Sequence, residues 1–143
     1  MAVKPETIKS IGAKLAERVQ MVAPVLRHAA ILFVDDHPEY NAPETRILTS
    51  IGINVEAVRS TAEALARLAK KPYSVVISDM EREGVKDAGI QLLQQMQAHG
   101  IETPTIFYAA GYDPARGTPP NAAGMTNRAD DLLNDVLDAL ERA

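Results

Sequence analysis

Ile31-Leu32-Phe33-Val34-Asp35-Asp36 and Tyr73-Ser74-Val75-Val76-Ile77-Ser78-Asp79 are the stretches on which the fold turns. Each is a short apolar run closed by acid, the form of a strand whose carboxyl end reaches the edge of a covered sheet. Side by side in a parallel sheet, the two runs bring Asp35, Asp36 and Asp79 together. At about 4 Å and an effective dielectric near 20, each like-charge pair among them costs roughly 4 kcal/mol. A divalent cation relieves that most simply. Oxygen-only ligation on rigid strand ends suits magnesium, which keeps several waters and commonly brings phosphate oxygens into its shell. Phosphoryl chemistry is the leading expectation.

Outward from these runs, extended and helical patterns alternate, which predicts an α/β fold with a parallel sheet covered on both faces. Strands are expected at 31–34, 53–58, 73–78, 105–108 and 123–126. Asn41 reads as the cap of a helix carrying Ile47, Leu48 and Ile51, with Gly52 just past its end. Ser60-Thr61-Ala62-Glu63 has the capping-box form and opens a helix with Ala64, Leu65 and Leu68 on one face. Gly89 precedes a third helix with Ile90, Leu93 and Met96 inward, ended by Gly100. A last helix starts near Asn127 and repeats Leu132, Leu133, Val136, Leu137 and Leu140. Between Gly111 and Asn121, Gly117-Thr118-Pro119-Pro120 excludes a helix interior, so a fourth helix there is expected to be short or absent.

Residues 1–30 form a separate unit, a helix or linker ahead of a domain at 31–143. Pro5 and Glu6 read as a helix start, and Ile8, Ile11, Leu15, Val19, Val22 and Leu26 recur at three- and four-residue steps, with Pro24 disturbing the far end. This stripe is expected to pack on its own domain or to link to another; a homodimer through it is the alternative, weakened by Arg18 in the seam.

The 143 residues are 46% apolar and 24% charged, the balance of one globular domain. The absence of cysteine excludes disulfides, thiolate metal sites and a cysteine nucleophile. The sequence holds no apolar run near 18 residues, and Met1 to Glu6 carries charge and proline where a signal peptide needs an apolar core, so a cytoplasmic protein without membrane contact is expected. The net charge of 15 − 19 = −4, with scattered basic residues, argues against nucleic acid as a partner.

The motifs ILFVDDHP at 31–38 and VVISDM at 75–80 resemble the first and third strands of the receiver domains of two-component response regulators. The resemblance spans roughly residues 31–142. It implies a flavodoxin-like, doubly wound five-stranded sheet of order 2-1-3-4-5 with ligands beyond the carboxyl ends of the strands. It also implies that Asp79 is phosphorylated by a histidine kinase or phosphotransfer protein, for a downstream output domain or protein. Mg2+ would be held by Asp35, Asp36, Asp79 and the backbone carbonyl of Glu81. Such a domain is not an enzyme, beyond autocatalytic transfer onto its own aspartate. The chemistry is sensible, because a carboxylate nucleophile needs its charge screened from the incoming phosphoryl group.

Departures from the family pattern mark the chain as atypical. The family's proline after the acceptor is missing from the charged loop Met80 to Gly89. Ala109 stands where the fourth strand ends in threonine or serine. The family's lysine corresponds best to Arg128, assigned here as the second catalytic group, and its aromatic switch to Met125. The Gly111–Asn121 loop is the expected reporter of the signal. The alternative function is a pseudo-receiver that binds partners without phosphate. A hydrolase of another phosphotransfer family is a weaker reading, because the second acid such enzymes often carry two positions after the nucleophile is here His37. His37 itself reads as a solvated loop side chain, and His28, His37 and His99 lack zinc-ligand spacing.

Overall fold

Successive strand residues point to opposite faces of a sheet, and here each face meets its own apolar cluster. Ile31 and Phe33 join Val75, Ile77 and Ile106 on one side, while Leu32, Val34 and Val76 lie on the other. The computed structural model that gives this arrangement describes residues 3–142; Met1, Ala2 and Ala143, at the outer ends of the expected units 1–30 and 31–143, lie outside the described residues.

The strands are β1 (Ala30–Val34), β2 (Asn54–Val58), β3 (Val75–Ser78), β4 (Thr105–Tyr108) and β5 (Gly124–Thr126). They form a five-stranded parallel sheet in the order β2-β1-β3-β4-β5, the expected flavodoxin-like topology. The helices are α1 (Pro5–Ile11), α2 (Ala13–Leu26), α3 (Ala42–Ser50), α4 (Thr61–Lys70), α5 (Ala88–Ala98) and α6 (Ala129–Arg142). Val19 and Leu26 of α2, Leu48 of α3, and Leu132, Leu133, Val136, Leu137 and Leu140 of α6 cover the first face. Ala64 of α4 and Leu92 and Met96 of α5 cover the second. No helix among the described residues is long and apolar enough to cross a membrane.

From Ile11 onward the N-terminal stripe packs on this same core, while Ile8 stays exposed. Arg18, expected to disturb a dimer seam, instead reaches from α2 to α6, where it bonds Asn134 Oδ1 at 2.9 Å, Asp138 Oδ1 at 2.5 Å and Glu141 Oε1 at 3.2 Å. The stripe is not one helix. Gly12, at φ 84° and ψ 164°, separates α1 from α2, a backbone conformation that L side chains rarely adopt. Pro24 lies inside α2 rather than ending it.

Local sequence signals match the fold unevenly. Ser60 Oγ accepts from the Glu63 N–H at 3.1 Å, as a capping box requires, but the Glu63 carboxylate takes the Arg59 N–H rather than that of Ser60. The α3 segment is entered by a 3-10 turn, Pro38–Asn41, and Asn41 makes no cap with its side chain. β3 begins at Val75, not Tyr73; ahead of it Ser74 donates its N–H to Ala30 O at 2.8 Å and receives the Ala30 N–H on its hydroxyl at 3.1 Å. α6 begins at Ala129, two residues past Asn127. The Gly111–Asn121 connection contains only the short 3-10 turn Pro114–Arg116.

Candidate functional site

The sheet ladders carry two of the acids to one edge. The Asp35 N–H donates to Val58 O and the Asp79 N–H to Val34 O, each at 3.0 Å, so both residues continue their strands by one step. Asp36 follows Asp35 out of β1. Carboxylate oxygens of Asp35, Asp36 and Asp79 lie within 4.8 Å of one another.

Each acid is held differently. Each oxygen of Asp35 accepts a hydrogen bond, Oδ1 from the His37 N–H at 2.8 Å and Oδ2 from the Asn41 side chain at 2.7 Å. Asn41, assigned from sequence as a helix cap, is therefore a support for an acid. Asp36 Oδ2 accepts the Glu83 N–H at 3.0 Å, and this hydrogen bond more than any other influence holds its carboxyl below the usual range. Asp79 is 8% exposed. Its Oδ1 pairs with the Arg82 guanidinium, while its Oδ2 is buried without a partner. Burial pushes the Asp79 carboxyl up to about 7; Arg82 pulls it down, and the charges of Asp35 and Asp36 push it up further.

Close packing fixes the acceptor's backbone. A Cβ on Gly89 would lie 2.4 Å from Asp79 O and 2.8 Å from Phe107 Cε1, so α5 can approach the end of β3 only with glycine there. Ser78 Oγ donates to Asp79 O at 2.7 Å and accepts from Arg82 Nη1 at 2.9 Å.

Arg82 is the residue that sequence reasoning missed. It is 3% exposed, and Nη2 reaches Thr61 Oγ1 at 2.7 Å and Ala88 O at 3.3 Å. Arg128, assigned from the resemblance as the catalytic cation, is turned to solvent. Its side chain is 69% exposed and bonds Asp130 at 3.3 Å, with Asp131 at 3.7 Å. The cation on Asp79 thus comes from the loop after β3, not from the end of β5. Glu81 is exposed and leads into that loop. Ala109 follows β4 without a side-chain hydroxyl; its N–H donates to Thr126 O at 3.0 Å and its carbonyl accepts the Tyr112 N–H at 3.1 Å. Met125, in the aromatic switch position, is half-buried opposite Phe107. His37 is exposed and stacks on Tyr40 with ring centroids 4.9 Å apart.

The donor set fits a hard divalent cation: three carboxylates, oxygen only, with one buried carboxylate oxygen unpartnered among them. A negatively charged cluster around a buried, partly paired carboxylate also suits nucleophilic attack on phosphorus once that charge is screened.

Comparison with known proteins agrees with this fold. Residues 31–128 match the sequence profile of the response regulator receiver domain. The receiver domain of the Francisella response regulator 1452 is similar over 80% of this chain and 98% of its own, with a TM-score of 0.70 and 21% identity. Response regulator TrrA of Thermotoga maritima, solved in complex with Mg2+ and BeF, is similar over 78% of this chain and 98% of its own, at a TM-score of 0.66 and 22% identity. The chemotaxis response regulator CheY4 of Vibrio cholerae covers 80% and 97% at a TM-score of 0.63 and 22% identity. Curated proteins gave no match.

Proposed function

We propose, from the fact that this chain belongs to the response regulator receiver domain family, that Asp79 accepts a phosphoryl group from the phosphohistidine of a histidine kinase or phosphotransfer protein. The observation that carries this is the orphaned, buried Oδ2 of Asp79 inside a three-acid cluster.

In the transfer, a carboxylate oxygen of Asp79 forms a bond to phosphorus as the phosphorus–nitrogen bond of the donor breaks. The product is an aspartyl phosphate, and the released imidazole takes its proton from solvent. Asp35, Asp36, Asp79 and the Glu81 carbonyl would hold Mg2+, as a donor set of this kind suits. When bound, the metal supplies charge neutralisation for the in-line transition state. The similar Thermotoga maritima regulator, solved with Mg2+ and BeF, supports that assignment. Asn41 and the His37 N–H keep Asp35 oriented, and Ser78 steadies the backbone of the acceptor. The protein turns over no separate substrate, and its product would be read by a downstream output domain or protein.

Arg82 also favours a second reading. An acceptor already paired to an internal cation, with Ala109 in place of a hydroxyl and an exposed Arg128, suits a pseudo-receiver that binds partners without phosphate. Borohydride reduction of the treated protein, followed by peptide mapping, separates the two. Conversion of Asp79 to homoserine after incubation with a phosphodonor and Mg2+ is expected; modification at another residue, or none in folded protein, contradicts the acceptor role.

A further inference from the structure

Arginine is rarely buried without a job for its charge, and Arg82 is buried at the mouth of the acid cluster. Its partners come from three places: Asp79 and Ser78 after β3, Thr61 at the start of α4, and Ala88 at the start of α5. Arg82 also opens a tight two-residue turn. Arg82 and Val85 exchange backbone hydrogen bonds at 3.1 and 2.8 Å, and Glu83 and Gly84 take φ of 52° and 81°. The same turn puts the Glu83 N–H on Asp36 Oδ2. One hairpin therefore holds two of the three acids.

We propose that Arg82 is a built-in counter-ion for the cluster of Asp35, Asp36 and Asp79, which offsets part of its charge without a metal and weakens its affinity for divalent cations. This rests on the reading of the three acids as the cation site. One guanidinium leaves two of the three negative charges uncompensated, so a cation is still attracted. It enters, however, beside a fixed positive charge in a water-poor setting where screening is weak. By linkage, whatever Arg82 takes from cation affinity the cation takes from the hold of the hairpin, so metal binding loosens residues 82–85. The loop that reports occupancy is then this hairpin.

The test is isothermal titration of MgCl2 into the native chain, Arg82→Gln and Arg82→Lys, with circular dichroism as the check on folding. Arg82→Gln is expected to bind roughly tenfold tighter than the native chain, and Arg82→Lys, which keeps the charge, within about threefold of it. Equal, measurable affinity in the native chain and Arg82→Gln overturns the counter-ion role and leaves the cation site standing. No binding to either folded protein overturns both. If Arg82→Gln does not fold, Thr61→Ala, which removes one of the two partners of Nη2, is expected to raise affinity about threefold; unchanged affinity then overturns the proposal.

Discussion

The Asp79 carboxylate and the Arg82 guanidinium form a buried ion pair across three residues of one loop, with side chains 11% and 3% exposed. Breaking such a pair from one side leaves an uncompensated buried charge, which costs about 3–5 kcal/mol. Arg82→Ala is expected to lose stability of that order in metal-free buffer, measured by urea unfolding with EDTA. A loss of only a few tenths would mean that the pair contributes nothing.

Gly89 sets how near α5 can come to the acceptor. Gly89→Ala forces a methyl group against Asp79 O and the Phe107 ring, both in the interior. Overpacking of this kind costs about 1–3 kcal/mol. The expected result is a lower Tm together with weaker phosphoryl labelling, because relief of the clash moves the Asp79 backbone. Unchanged Tm and labelling would show that α5 yields freely.

Leu26 of α2 is 1% exposed within the cluster shared by α6 and the sheet. If the N-terminal helices are part of the core, Leu26→Ala costs about 2–5 kcal/mol in a single cooperative transition. A loss confined to a separate early transition would place them outside it.

Asp135 on α6 has its carboxyl raised by burial first, and then by the charges of Asp138 and Asp131. A group whose pKa is raised on folding favours the folded state below its unfolded pKa and disfavours it as pH climbs through the folded value. Asp135→Asn should therefore raise Tm at pH 7 and leave it unchanged near pH 3. An equal effect at both pH values would point to a packing origin.

Glu56 behaves oppositely. Lys71 first, with Tyr73 and Arg67, holds its carboxyl below the usual range. Its contribution is present above the unfolded pKa and lost as pH falls through the lower folded value. Glu56→Gln should flatten the fall in stability between pH 5 and pH 3, as read by urea titrations. A slope equal to that of the native chain would show the pairing to be silent.

The sheet was legible because Ile31–Val34 and Val75–Ser78 leave an apolar run little choice other than a buried strand, and their ends carry the acids with them. Gly12 hid its break within a continuous apolar stripe; its positive φ leaves no mark in periodicity. Asn41 is ambiguous in sequence because a cap and a carboxylate support call for the same residue type, and the Asp35 oxygen it bonds is fixed only by the fold. Arg82 was invisible for a related reason: in the charged run Met80 to Gly89 it looks solvated, and Thr61 and Ala88, which bury it, are distant in sequence or unremarkable. The one signal that could have found it is Gly84, whose freedom at positive φ suits the second position of a two-residue turn that folds Arg82 back toward Asp79. Arg128 matches the family's lysine by its place after the fifth strand, yet its partners Asp130 and Asp131 lie in solvent with it.

Intact-mass spectrometry after incubation with acetyl phosphate and Mg2+, for the native chain beside Asp79→Asn, tests the acceptor role most directly. One phosphoryl adduct on the native protein and none on folded Asp79→Asn is expected. An adduct on both, or none on the native chain even with a histidine phosphodonor, would contradict it.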